Sequence, residues 1–449
     1  MKHLKTYFSV YLFLCGALSI LFFSINIAKK PDQTVFYHDI QIYYSYLPAT
    51  FIENDPFFER TLEYDSINKY WAAETPIGKR IPKTSMGVAL LELPFFFAGH
   101  AYASNQTTYV ANGFSEPYQI AIALSSATYA VLGAWFLLLF LQRRFTKLIS
   151  ILTILLTLFG TNLMYYAIFE PGMSHPYSFF LLATVLLSID NWFLRKTHWN
   201  SLLIGILLGL IVLVRPINIL FIIPLIVLFK KPEETWSTYW KQLFFPLNHL
   251  GLIILGGIIC WMPQFIYWKI QTGSILYFSY GEERFFWLKP HVFDGLFSIR
   301  KGWFIYTPLM LFALFGLIRL YKLRKNMFWT IASFLPLFLY VTFSWWCWWY
   351  GGGFSARTLI DILPLMALPL AGLIEWILLK KIRSILWVFP LFFVTLNLFQ
   401  SWQYYRRYLH YDSMTWTSYK EVFFKTHPTF KYWETLDEPD YERALKKGD

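Results

Sequence analysis

Apolar runs alternate with short polar clusters along most of this chain. A helix rises 1.5 Å per residue, so about 20 apolar residues cross the hydrocarbon of a bilayer. Helical spans are predicted at 7–27, 118–141, 148–168, 176–194, 201–214, 216–229, 248–268, 303–321, 328–346, 358–379 and 384–400. One stretch breaks the rhythm. Residues 29–83 are polar and carry Asp39, Glu53, Asp55, Glu59, Glu63, Asp65 and Glu74 directly behind the first run. A chain otherwise committed to the membrane keeps such a loop for work at a surface, so 29–117 is predicted to be the outer, catalytic loop.

Lys and Arg in short loops mark the cytoplasmic side. They cluster at Arg143, Arg144 and Lys147; at Arg195 and Lys196; at Lys230, Lys231 and Lys241; at Arg319, Lys322, Arg324 and Lys325; and at Lys380, Lys381 and Arg383. If these share the side of Lys2 and Lys5, the crossings between them come in pairs. Parity then puts 86–103, with Glu92 and Pro94 inside it, on the outer surface as an interfacial helix. It also reads 201–229 as a hairpin of two short helices tipped by Arg215-Pro216, with proline well placed to open the second. The prediction is an all-α polytopic membrane protein of about eleven spans. Its N-terminus is cytoplasmic, its first helix is 1–28 and its bundle is 118–400. Segments 29–117, 169–176, 269–302, 347–357 and the tail 401–449 gather on the outer face. The first run could instead be a signal peptide. It lacks a small-x-small cleavage site and ends in Lys29-Lys30-Pro31, which favours a retained anchor.

Composition agrees. Only 15% of residues are charged, against about a quarter in soluble domains. The net charge of +12 belongs with basic cytoplasmic loops, and nucleic acid is not expected as a partner. Cys15, Cys260 and Cys347 lack metal-ligand spacing, so neither a metal site nor a disulfide framework is expected, and no cofactor is implied.

The outer segments hold the candidate chemistry. Asp39, in Tyr37-His38-Asp39, sits close to the membrane surface, where desolvation lifts a carboxylate toward a general base's range; the plainer reading is a solvated loop acid. Glu170 and His175 occupy a short loop stiffened by Pro171 and Pro176, at a depth where ionisable groups are costly. Ordinary helix ends pointing to water are the alternative. Lys79, Arg80, Lys83, Arg300, Lys301 and Arg357 lie outside against the charge trend, and Arg215 lies within the outer half of the membrane. A phosphate-linked substrate would account for them, as would pairing with outer carboxylates. In Trp345-Trp346-Cys347-Trp348-Trp349-Tyr350-Gly351-Gly352-Gly353-Phe354-Ser355-Ala356-Arg357, the indoles suit an interface belt. The glycines suit close backbone approach or an anion held by N–H groups, and aromatic platforms such as Trp349 and Tyr350 suit sugar rings.

In that order, the first span, Tyr37-His38-Asp39, Lys83-Thr84-Ser85-Met86-Gly87, the Gly160 to His175 segment, Val214-Arg215-Pro216 and the Gly351 to Arg357 loop resemble the GT-C superfamily of membrane glycosyltransferases. The branch it looks most like is that of bacterial relatives of protein O-mannosyltransferases and lipid A aminoarabinose transferases, a resemblance over most of the chain to about Gln400. The resemblance implies a polyprenyl-phosphate-linked sugar donor and inverting hexosyl or pentosyl transfer on the extracytoplasmic side of the cell membrane. The acceptor would be a glycan, lipid or protein. Asp39 takes the place of the catalytic base, Glu170 that of the second-loop acid and Lys83 that of a lysine on the donor phosphate. His38 precedes Asp39 where the family often shows an acidic pair. Lys83, Arg215, Arg300, Lys301 and Arg357 are the expected donor-phosphate residues, and His38, His175, Trp349, Tyr350 and Gly352 the expected substrate contacts. The alternatives are a transporter or flippase of a lipid-linked sugar, a polymer ligase on the same fold, and a non-catalytic scaffold.

Overall fold

The computed structural model describes residues 2–30, 34–59, 72–231 and 233–449. Glu63 and Asp65, two of the first-loop acids, lie outside the described residues.

Among the described residues the chain is predominantly helical, with one small antiparallel ribbon, Ala72–Glu74 against Arg80–Pro82. Five helices among the described residues are long and apolar enough to cross a membrane: Glu116–Gln142, Ser174–Leu194, Leu247–Thr272, Lys325–Phe343 and Arg383–Tyr405. The chain opens on the helix Lys2–Ala28, and shorter apolar helices accompany the five, among them Lys147–Phe159, His198–Val214 and Leu363–Leu378.

Several predicted continuous spans are broken. The 148–168 run is a helix over Lys147–Phe159, a break at 160–162 and a short helix over Leu163–Ile168. The 303–321 run becomes Trp303–Tyr306, Pro308–Ala313 and Gly316–Leu323. Proline opens the middle piece, where its missing N–H costs nothing. At 201–229, the His198–Val214 helix stops at Arg215, and Pro216 begins a 3₁₀ turn that leads into Ile222–Leu228.

Helix ends are set by the residues expected of them. Thr146, Thr197 and Thr235 accept from the backbone N–H three residues on, at Ile149, Asn200 and Thr238. The Leu247–Thr272 helix presents Ile254, Ile258, Met262 and Ile266, one turn apart, on an exposed apolar stripe. Such a face is costly in water and at home in lipid. Its opposite side meets the His198–Val214 helix backbone to backbone. A Cβ on Gly205 would lie 2.0 Å from the Ile253 carbonyl oxygen, and one on Gly256 would lie 2.4 Å from that of Leu202. Small residues allow this approach, as they do between helices in lipid.

The basic clusters converge at one end of the helices. Arg143 and Arg144 both pair with Asp190, at 2.9 and 2.7 Å, and Arg319 and Arg324 both pair with Glu375, at 3.1 and 2.9 Å. Arg324 also donates to the Arg144 carbonyl at 3.2 Å, and Asn326 donates to that of Leu228 at 2.9 Å. Asp190 and Glu375 therefore supply acid to this end that was not assigned to it from the sequence.

The 86–103 segment forms the helix Gly87–Ser104. It packs along the first half of Glu116–Gln142, and Tyr129 Oη donates to the Leu91 carbonyl at 3.0 Å. Inside this contact Glu92 is fully buried and accepts from Tyr177 Oη at 2.9 Å.

Candidate functional site

Asp39 is the second residue of a short helix, His38–Tyr44, that follows the first long helix. His38 takes a left-handed backbone, φ 44°, which turns the chain into this helix. The Asp39 carboxylate Oδ2 accepts from Arg357 Nη2 at 2.7 Å. Burial pushes its carboxyl up, but the Arg357 charge and hydrogen bond more than offset that and hold it below the usual carboxylate range. Asp39 is therefore ionised at neutral pH, with its side chain 41% exposed to a large cavity.

Arg357 is aimed by the glycine loop before it. Gly353 has φ 154°, and a Cβ there would meet Tyr166 Oη at 2.9 Å and Arg357 Cδ at 3.2 Å. Tyr166 Oη in turn accepts from the Phe354 N–H at 2.7 Å and donates to the Phe354 carbonyl at 3.0 Å. Lys301 holds the loop from behind by donating to the carbonyls of Gly353 and Tyr411. It is buried, and burial together with the nearby Arg357 charge pushes its ammonium down to about 7.

Glu170 lines the same cavity and accepts from Tyr165 Oη at 3.1 Å. Burial raises its carboxyl to about 6, against the lowering pull of Arg357 and the Tyr165 bond. Two acids thus share one cation but differ in basicity. Asp39 is held ionised, and Glu170 titrates near the working range.

Two further cations face the cavity. Lys83 pairs with Glu283 and lies over the Tyr280 ring, 5.2 Å from its centre. Arg215 pairs through Nε with Asp361 at 2.8 Å and donates to Ser174 Oγ at 3.3 Å. Asp361 also meets His175 Nδ1 at 3.2 Å, and both Asp361 and His175 are fully buried. The sequence reading missed Asp361, which it absorbed into the apolar run 358–379. A lone acid inside such a run was the available signal.

The cavity has a volume of about 1610 Å³. Of the residues expected at the site, His38, Asp39, Lys83, Glu170, Arg215, Tyr350, Gly352 and Arg357 line it. Four others lie behind its wall. His175 reaches it only through Asp361 and Arg215, and Lys301 braces the glycine loop. Arg300 donates to the Asp412 carbonyl at 2.7 Å and pairs with Asp437 at 3.4 Å. Trp349 is buried edge-on against Tyr441, 5.4 Å between ring centres. The glycine loop's shape has a conformational reason before any anion-binding one: Tyr350, Gly351 and Ser355 have φ of 57°, 64° and 59°. Among the described residues no three His, Cys, Asp or Glu side chains are close enough to hold a metal ion.

No protein-family model matches this chain, and no curated protein matches it significantly.

Proposed function

We propose that this protein is an integral membrane glycosyltransferase of the GT-C kind, with about eleven spans. It would move a hexose or pentose, with inversion, from a polyprenyl-phosphate donor to a glycan, lipid or protein acceptor on the extracytoplasmic side of the cell membrane. The observation that carries this reading is the Asp39–Arg357 pair, 2.7 Å across, in one cavity with Glu170, Lys83 and Arg215. A glycosyl phosphate needs a base for the acceptor and fixed positive charge for the departing phosphate, and both are present in that cavity.

On this reading the acceptor hydroxyl donates to a cavity carboxylate and its oxygen attacks the anomeric carbon. The anomeric C–O bond to phosphate breaks as the new C–O bond forms. The proton passes to the carboxylate and the electron pair leaves on the phosphate oxygen. Asp39 is the assigned base. Glu170 is the more basic of the two when the donor is absent, and it orients the acceptor or takes over the proton. Arg357 grips phosphate with a planar fork, and Lys83 and Arg215 add charge. The donor phosphate also draws Arg357 away from Asp39, which makes Asp39 a stronger base once the donor is bound. Beside Arg215 the lining turns apolar at Ile217, Trp261, Trp268, Leu276 and Phe278, which suits the first isoprene units of the lipid.

Purified protein in nanodiscs, given radiolabelled polyprenyl-phosphate sugar and an extracted envelope fraction, should put label into a new covalent product. In sealed vesicles, label that crosses the bilayer without a new covalent product would make the protein a flippase. Full transfer by Asp39→Asn would remove Asp39 as the base.

A further inference from the structure

The segment after Tyr405 does not trail away from the body. Lys301 donates to the Tyr411 carbonyl and Arg300 to that of Asp412, while Lys289 pairs with Asp449 at 2.8 Å. Gln403 donates to the Val422 carbonyl at 2.7 Å and Gln400 to Tyr419 Oη at 2.7 Å, closing the tail back onto the last long helix. Held in this way, the tail becomes one wall of the cavity, with Arg407, His410, Tyr411, Trp433 and Tyr441 facing inward.

Two features of that wall are not accounted for by packing. Tyr411 and Trp433 remain 54% and 53% exposed, although both are anchored in a folded segment. Tyr411 stacks on His410, 4.3 Å between ring centres, and crosses over Gly352, where a Cβ would come within 3.4 Å of it. Arg407 is exposed into the cavity, has a left-handed backbone with φ 60°, and makes no ion pair among the described residues. An exposed arginine in a left-handed conformation, with no ion pair among the described residues and on the same cavity wall as two open aromatic faces, is expected to have a ligand. Lys83 and Arg215 line the cavity from the body of the protein, whereas Arg407, Tyr411 and Trp433 all line it from the tail.

We propose that the tail builds an acceptor subsite for an anionic saccharide, whose sugar ring packs on Tyr411 and Trp433 and whose acidic group is held by Arg407. The apolar C–H face of a pyranose covers an aromatic ring, and a guanidinium holds a carboxylate or phosphate with two parallel bonds. The acid could be a uronate within a glycan or a phosphate on a glycolipid head. The shared chemistry is a sugar carrying a fixed negative charge. The inference rests on the glycosyltransferase reading for calling this ligand the acceptor, but not for its binding.

Full-length protein in nanodiscs is titrated with a glucuronate-containing disaccharide, a disaccharide phosphate and a neutral disaccharide, following tryptophan fluorescence. At least one charged sugar should bind about tenfold or more tighter than the neutral one, and the tighter of the two identifies the acid. Arg407→Gln should abolish that preference, Arg407→Lys should restore most of it, and Tyr411→Ala should weaken all three sugars. Equal binding of charged and neutral sugars, or a preference that survives Arg407→Gln, overturns the subsite. Polyprenyl phosphate binding, measured in the same variants, should not change. If Arg407→Gln leaves acceptor KM unaltered while transfer proceeds, only the subsite fails. If charged sugars bind as described and no sugar is ever transferred, only the glycosyltransferase reading fails.

Discussion

Arg357 and Asp39 are separated by 318 positions in sequence and by 2.7 Å in space. The pair joins the first loop to the glycine loop in the cavity lining, and it makes either residue alone a poor guide to the other's role. Arg357→Lys keeps the charge and loses the fork. Transfer should fall by about 10²-fold or more, the scale of losing one stabilising donor in a transition state. Asp39→Asn should cost a similar or larger factor, about 10²–10⁴ for a general base. Steady-state transfer from labelled donor reads both. A double variant no worse than either single one would show that the pair acts as a unit.

On the glycosyltransferase reading, Glu170 gives the reaction a pH handle. With its carboxyl raised to about 6, kcat/KM should climb as pH rises through that value if the ionised form is used. Glu170→Gln should lower the plateau and erase the inflection. The same group has a stability signature. Its proton is held more tightly folded than unfolded, so stability falls as pH rises from the ordinary carboxylate range to about 6, then levels off. A profile flat through 6 in the wild type would remove Glu170 from the rate equation.

Asp361 serves two partners. Asp361→Ala would leave His175 and Arg215 without their common anion, at a cost of about 3–5 kcal/mol, the range for breaking a buried pair. Asp361→Asn should cost less and still let Arg215 drift. The expected readout is a donor KM that rises more than kcat falls, because Arg215 faces the cavity and Asp361 does not. An unchanged KM in a folded Asp361→Asn protein would make the buried cluster purely structural.

Lys301→Met removes the amine that ties Gly353 to Tyr411. Two carbonyls lose a partner, at about 1–3 kcal/mol each where no water replaces it. Because burial pushes the ammonium down to about 7, the wild type loses stability as pH falls from the ordinary lysine range to about 7, and Lys301→Met should not show that loss. Thermal unfolding across that range checks the sign. Loosening the tail should also raise acceptor KM before donor KM.

The positions of the long apolar helices were legible in the sequence, because hydrophobic run length is a local property and lipid selects on it directly. So was the stop at Arg215-Pro216, where proline's fixed φ and missing N–H act within a single turn. Asp39, Glu170, Lys83, Arg215 and Arg357 could be chosen as candidates because charge beside or within apolar segments needs a reason, and all five line the cavity. Tertiary packing alone decided which charge answers which. Arg300 and Lys301 hold the tail, through the Asp412 and Tyr411 carbonyls and Asp437. Asp361 was hidden in an apolar run and emerged as the anchor of Arg215. Residues hundreds of positions apart leave no local mark of their pairing, because a buried ion pair depends on the packing of whole helices and not on the propensities of its neighbours in sequence.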